Sequence, residues 1–236
     1  MDLLRKEPCI IVLGETGCGK TTMLPQLLLE AGYDHVCATQ PRRVAAIAAA
    51  RRVAHLRGGR VGGEVGYAIR FEQVCGPATR IKFVTDGVLL REASSQPALP
   101  QYGALVLDEA HERSLNTDVL FALVKRLLDS AEPRGPRRVV VSSATMDAER
   151  FSRYFGGAPV LRVTSEPYPV RIYHVARPLG SDGARLEAAL ELALRVHTER
   201  PAGPHEDVLL FLTGQVLLLP PRPAPARRSP VRKRAP

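Results

Sequence analysis

The segment Gly14-Glu15-Thr16-Gly17-Cys18-Gly19-Lys20-Thr21 meets the pattern G-x-x-x-x-G-K-[ST] at every fixed position. It lies between a short apolar run, Cys9 to Leu13, and a stretch of helical periodicity from Lys20 to about Ala31. No other feature constrains the chain so strongly. Glycines let successive backbone N–H groups turn inward around an anion, and the helix that follows points its positive end at the same place. In such a loop Lys20 reaches the β- and γ-phosphates of a nucleoside triphosphate, and the Thr21 hydroxyl ligates Mg²⁺. Gly14, Thr16, Gly17, Cys18, Gly19 and Thr22 complete the expected nucleotide-binding set. A glycine turn that merely happens to precede a lysine would match roughly once per hundred chains of this size at average residue frequencies. The strand-then-helix context lowers that further.

The rest of the body repeats one rhythm. Strands are expected at His35 to Ala38, Ile81 to Val84, Ala104 to Leu107 and Arg138 to Val141. Helices are expected at Ala45 to Leu56, Asp86 to about Ala93, Asn116 to Leu128 and Ala148 to Tyr154. Short apolar strands alternating with amphipathic helices imply an α/β fold, with a parallel sheet covered by helices on both faces. Aromatic residues are only 5% of the chain and Trp is absent, so the 45% that is apolar predicts an aliphatic core. No apolar run approaches the roughly 18 residues needed to span a bilayer, so no membrane role is expected. Four cysteines, Cys9, Cys18, Cys37 and Cys75, lie apart with no C-x-x-C pair. That spacing indicates neither a disulfide framework nor a zinc site, and it suits a reducing compartment.

Directly after the apolar strand Ala104 to Leu107 comes Asp108-Glu109-Ala110-His111. In a doubly wound sheet the carboxyl ends of the strands line the ligand crevice, which would bring this acidic pair beside the phosphate loop. Asp108 is then placed to hold Mg²⁺, and Glu109 to orient and deprotonate an attacking water. Alone, two acids after an apolar run fit an ordinary helix start favoured by the dipole. Joined to the loop, they favour hydrolysis by water over transfer to a bound acceptor.

Seven blocks, in order, resemble the DEAH-box RNA helicases: GETGCGKTT (14 to 22), TQPRRVAA (39 to 46), RIKFVTDGVLLRE (80 to 92), DEAHERS (108 to 114), SATM (143 to 146), FSRYFGGAPV (151 to 160) and FLTGQ (211 to 215). The resemblance implies a P-loop NTPase of RecA-like fold that hydrolyses ATP or another NTP with Mg²⁺ and remodels RNA. Arg42, Arg43, Thr85, Asp86 and Thr213 are carried over as contacts to the RNA backbone, independent of base sequence. Ser143 and Thr145 would couple the γ-phosphate state to domain movement, His111 would report that state across a domain cleft, and Arg52 would stack on the base. Cys18 stands where the family more often has serine, a small-for-small change that leaves the backbone cradle intact.

Three regions are expected: 1–166 as a first RecA-like domain, 167–215 as part of a second, and 216–236 as a disordered tail. The second region should contain a strand at Val170 to Val175, a helix at Arg185 to Glu199 and a strand at Asp207 to Leu212. An incomplete second domain would leave an apolar face for a protein partner to cover. The tail carries six of the nine net positive charges and six of the twenty prolines. Its Arg232-Lys233-Arg234 favours the nucleus over the cytoplasm. In the family the arginines that stabilise the transferred phosphoryl group belong to later second-domain motifs, which the matched blocks do not reach. An NTP-hydrolysing RNA helicase and a non-catalytic nucleotide- and RNA-binding fragment are thus the two expected functions. A P-loop kinase or motor of another class would leave DEAH, SAT and FLTGQ unexplained.

Overall fold

Strands apolar at every position cannot face water on either side, and a parallel sheet between two helical layers accommodates them. The computed structural model, which describes residues 6–130, 135–144, 148–164, 169–176, 179–199 and 208–212, has that arrangement. The chain divides into two compact units, Met1–Tyr168 and Pro169–Pro236.

In the first unit the elements run β1 (Cys9–Gly14), α1 (Lys20–Glu30), β2 (Val36–Gln40), α2 (Arg43–Leu56), β3 (Val65–Ile69), β4 (Glu72–Val74), β5 (Ile81–Thr85), α3 (Asp86–Ser95), β6 (Ala104–Leu107), a 3₁₀ turn (Ala110–Glu112), α4 (Leu115–Asp129), β7 (Arg138–Ser143), α5 (Ala148–Tyr154) and β8 (Val160–Val163). The strands form one sheet in the order β4-β3-β5-β2-β6-β7-β1-β8. Every pairing is parallel except that of β3 with β4.

Residue alternation sorts the strands into two cores. Ile11 and Leu13 of β1, Leu105 and Leu107 of β6, and Val139 and Val141 of β7 pack with Leu89 of α3, Leu120, Phe121 and Val124 of α4, and Phe151 of α5. Ile10, Val12, Val106 and Val140 point the other way, onto Leu24 and Leu28 of α1 and Ala46, Ala50 and Val53 of α2. Cys9 and Cys37 belong to the first of these cores as free thiols, and burial pushes the Cys9 thiol up to about 12.

Because seven of the eight strands run parallel, their carboxyl ends share one edge. Across the sheet this edge presents Thr85 of β5, Gln40 of β2, Asp108 after β6, Ser143 of β7 and Gly14 of β1 in that order. The site is therefore a row of strand ends.

The second unit, by itself, holds α6 (Asp182–Glu199), opened by the Ser181 hydroxyl accepting the Ala184 N–H at 3.2 Å. The strand expected at Val170 to Val175 does not form: these residues are irregular, and Val170, Ile172, Tyr173 and Val175 are exposed. Residues 208–212 are likewise irregular, where Asp207 to Leu212 was expected as a strand. A strand needs a neighbour for its backbone groups, and among the described residues of this unit there is none to pair with. Residues 213–236, including Thr213 and the basic tail, lie outside the described residues, as does Thr145.

Phe83 is fully buried in β5, whereas Val44 is 74% exposed on α2. Phe83→Ala should destabilise the first unit by about 3–5 kcal/mol in urea or guanidinium unfolding, and Val44→Ala by less than about 0.5 kcal/mol. Equal losses would contradict the two-core arrangement.

Candidate nucleotide site and nucleic-acid groove

The phosphate loop is built by backbone conformation. Gly17 and Gly19 have φ of 89° and 88°, in the left-handed region that a side chain disfavours. Gly19 is also the residue from which α1 starts. The helix has no side-chain cap and no acid in its first turn, so its positive end faces the loop uncompensated. Lys20, only 8% exposed, donates from Nζ to the carbonyls of Gly14 at 2.6 Å and Glu15 at 2.9 Å, which aims the ammonium into the loop. Cys18 lies alongside, its sulfur 3.6 Å from that ammonium. Thr22 donates to the Gly19 carbonyl at 3.1 Å and braces the first turn. A cation at an uncapped helix start weakens the isolated helix; the arrangement suits an anion that neutralises both.

Eighty-seven residues further on, Asp108 reaches the same place. Its Oδ2 accepts from Thr21 Oγ1 at 2.5 Å and from Gln40 Nε2 at 2.6 Å, and its Oδ1 accepts from the Glu109 N–H at 3.0 Å. Asp108 is 2% exposed. A hydroxyl and a carboxylate are hard oxygen donors of the kind Mg²⁺ takes, so Thr21 and Asp108 fit the metal expected of them.

Glu109 follows in the left-handed region at φ 54°, and Arg113 closes the segment at φ 48°. Non-glycine residues held there cost roughly 1–3 kcal/mol each, which surrounding contacts must offset. Arg113 grips Asp118 through two hydrogen bonds of 2.6 and 3.0 Å, and Glu112 pairs with Arg42 at 3.3 Å. The result holds Glu109 half-buried. Burial, and then the charge of Asp108, raises its carboxyl above the ordinary range, which suits a base working nearer neutral pH. His111 Nδ1 accepts from the Ala144 N–H at 3.3 Å and lies 3.5 Å from Glu109 Oε2. Since an amide can only donate, this bond places the proton of a neutral ring on Nε2. His111 thus joins the acidic segment to the end of β7, where Ser143 is fully buried.

Beyond β2, a cavity of about 350 Å³ is lined by Arg43, Arg70, Thr85, Asp86, Arg91 and Asn116, among others. Three guanidinium groups around one hollow suit a phosphodiester backbone. Arg42, exposed beside it, is tethered by Glu112. Asp86 lines the cavity and is also bonded from within the protein. It is 3% exposed, accepts from Thr117 Oγ1 at 2.5 Å and Ser114 Oγ at 3.4 Å, and leaves Oδ1 without a hydrogen-bond partner. Through Ser114, which caps α4 by accepting the Thr117 N–H at 3.1 Å, the carboxylate locks the start of α3 to that of α4.

Among the described residues, the expected site residues of the first unit gather at this strand edge, with one exception. Arg52 is exposed on α2, and no hydrogen bond or ion pair joins it to the phosphate loop among the described residues. Sequence reasoning missed Gln40, Arg70, Arg91 and Glu112. Gln40 carried a signal, a polar residue closing an otherwise buried strand. Arg70 did not, because it sits on the β3–β4 turn, which no glycine or asparagine announces.

The chain matches the family of DEAD/DEAH box helicases over residues 1–153 and belongs to it. It is 45% identical over 217 residues to the human ATP-dependent RNA helicase DHX33. That alignment covers 90% of this chain and 30% of the relative, so the chain spans less than a third of that protein's length.

Burial raises the Asp86 carboxyl above its ordinary value, its hydrogen bonds from Thr117 and Ser114 opposing the rise only in part. A carboxyl raised in the folded state contributes stability that is present below its unfolded value of about 3.9 and lost as pH rises through the folded value. Asp86→Asn escapes that loss. The difference in unfolding free energy between wild type and Asp86→Asn should thus move in the variant's favour between about pH 4 and pH 7; a difference independent of pH would show that the carboxyl is not raised.

Proposed function

We propose that this chain binds a nucleoside triphosphate with Mg²⁺, hydrolyses it, and couples that hydrolysis to remodelling of RNA through sequence-independent backbone contacts. The observation that carries the reading is the convergence of Lys20, Thr21, Asp108 and Glu109 at one strand edge, with an arginine-lined groove on the same edge. Lys20 and the first turn of α1 bind the phosphates, and the loop glycines let the backbone close around them. Thr21 and Asp108 hold the metal, which when bound offsets charge on the phosphate oxygens. Glu109 orients the attacking water and accepts its proton, its raised carboxyl lying closer to neutral pH than an exposed glutamate. His111, beside Glu109, is bonded to the β7 end through the Ala144 amide, the segment that would sense loss of the γ-phosphate.

Two supports are independent of the site. The chain's family is that of the helicases, and the relative at 45% identity is itself named an ATP-dependent RNA helicase. A protein partner covering the exposed apolar residues of the second unit, Val170, Ile172, Tyr173 and Val175, belongs to the same proposal. Sedimentation of the isolated chain as a well-behaved monomer would count against that partner.

Hydrolysis should be measured with and without single-stranded RNA. Wild type should turn over nucleotide faster with RNA, Lys20→Ala should fall to background, and Glu109→Gln should keep nucleotide binding while losing at least ~10²-fold in rate. Wild-type turnover no higher than that of Lys20→Ala, with nucleotide and RNA still bound, would reduce the chain to a binding module.

A further inference from the structure

Gln40 is the final residue of β2, the strand between β5 and β6. Its register places it opposite Thr85 of β5, at the arginine-lined groove. On the other side Thr39 pairs with Leu107 of β6, so the next residues on the two strands are Gln40 and Asp108. Gln40 is the point where the metal-facing strand end and the groove-facing strand end are both one strand away. Its side chain is 3% exposed, and Nε2 donates to Asp108 Oδ2 at 2.6 Å, on the same oxygen that takes the Thr21 hydroxyl at 2.5 Å. The amide orientation is chemically forced, because an ionised carboxylate only accepts.

The chain that leaves Gln40 gives the bond its reach. Pro41 follows, with its φ held by the ring, and then Arg42 and Arg43 at the first turn of α2. With a rigid link between them, a rotation of the Gln40 backbone moves the arginines as well. A second tie runs the same way: Arg42 pairs at 3.3 Å with Glu112, four residues beyond Asp108. A charge-assisted bond in a buried setting is among the strong ones, and this one ends on the carboxylate assigned to the metal.

We propose that Gln40 is a positioning residue that transmits occupancy of the nucleotide–metal site to the arginine turn of the RNA groove, through its amide bond to Asp108. The proposal rests on the nucleotide- and RNA-binding reading above and adds to it a named residue that makes the two sites sense each other. If both ligands bias one bonded element, each alters the other's affinity by the same factor, typically 5- to 150-fold. Removing the amide donor should bring that factor toward one while leaving both sites in place.

The test is an anisotropy titration of fluorescent oligouridylate with the full chain, in the absence and presence of Mg²⁺ and a non-hydrolysable ATP analogue. Gln40→Met keeps length and removes the donor. Gln40→Asn keeps the amide but draws it back by one methylene, and serves if the methionine variant fails to fold by circular dichroism. In wild type the nucleotide should change RNA affinity by at least ~5-fold. In a folded variant the change should fall below ~2-fold, with RNA affinity in the absence of nucleotide within ~3-fold of wild type. A purely structural Gln40 would weaken the single-ligand affinities and keep the factor. A wild-type factor of one, or a variant retaining the wild-type factor, overturns the proposal while leaving nucleotide and RNA binding standing. Failure of wild type to bind either ligand would bring down the broader reading, and this one with it.

Discussion

The carboxylate of Asp108 joins parts of the chain that lie far apart in sequence. It takes hydrogen bonds from Thr21 at the start of α1 and from Gln40 at the end of β2, and it is itself the first residue after β6. At 2% exposure an unpaired carboxylate there would be costly, and the Thr21 hydroxyl, the Gln40 amide and the Glu109 amide share the task of satisfying it. The same economy makes the site polar at the one edge of a sheet that is apolar throughout. Everything downstream, from the strained Glu109 to the tethered Arg42, hangs from that point.

The acidic segment is a short loop held at both ends in left-handed backbone, at Glu109 and Arg113. Such strain persists only when surrounding contacts outweigh it, and here they come from three directions. Asp118 holds Arg113, Arg42 holds Glu112, and the Ala144 amide holds His111. Each contact belongs to a different strand end or helix start, so a shift at any of them is felt by Glu109.

Much of this was legible in the residues. Cys9 to Leu13 read as a doubly buried strand, and β6 and β7 obey the same rule, with odd and even positions feeding opposite cores. Segments β3, β4 and β8 went unread for specific reasons. The β3–β4 turn is made by Arg70 and Phe71, with Phe71 at φ 68°, so its tightness is not written in a turn residue. Edge strand β8 carries Arg162 at its centre and only intermediate or exposed positions, so its pattern is weak. Conversely, the β-branched and aromatic run of Val170, Ile172, Tyr173 and Val175 resembles a strand, but among the described residues of their unit no neighbour pairs with them. At the site, motifs located the chemical groups, while the bonds between motifs, Gln40 to Asp108 and Arg42 to Glu112, depend on strand order, which spacing does not encode.

The central claim is that a triphosphate and its metal are held together by the loop, Thr21 and Asp108. Calorimetric titration of the folded chain with a non-hydrolysable ATP analogue, in Mg²⁺ and then in excess chelator, tests it most directly. Saturable one-to-one binding that weakens sharply when the metal is removed is expected. Absence of binding, or an affinity indifferent to Mg²⁺, would contradict it.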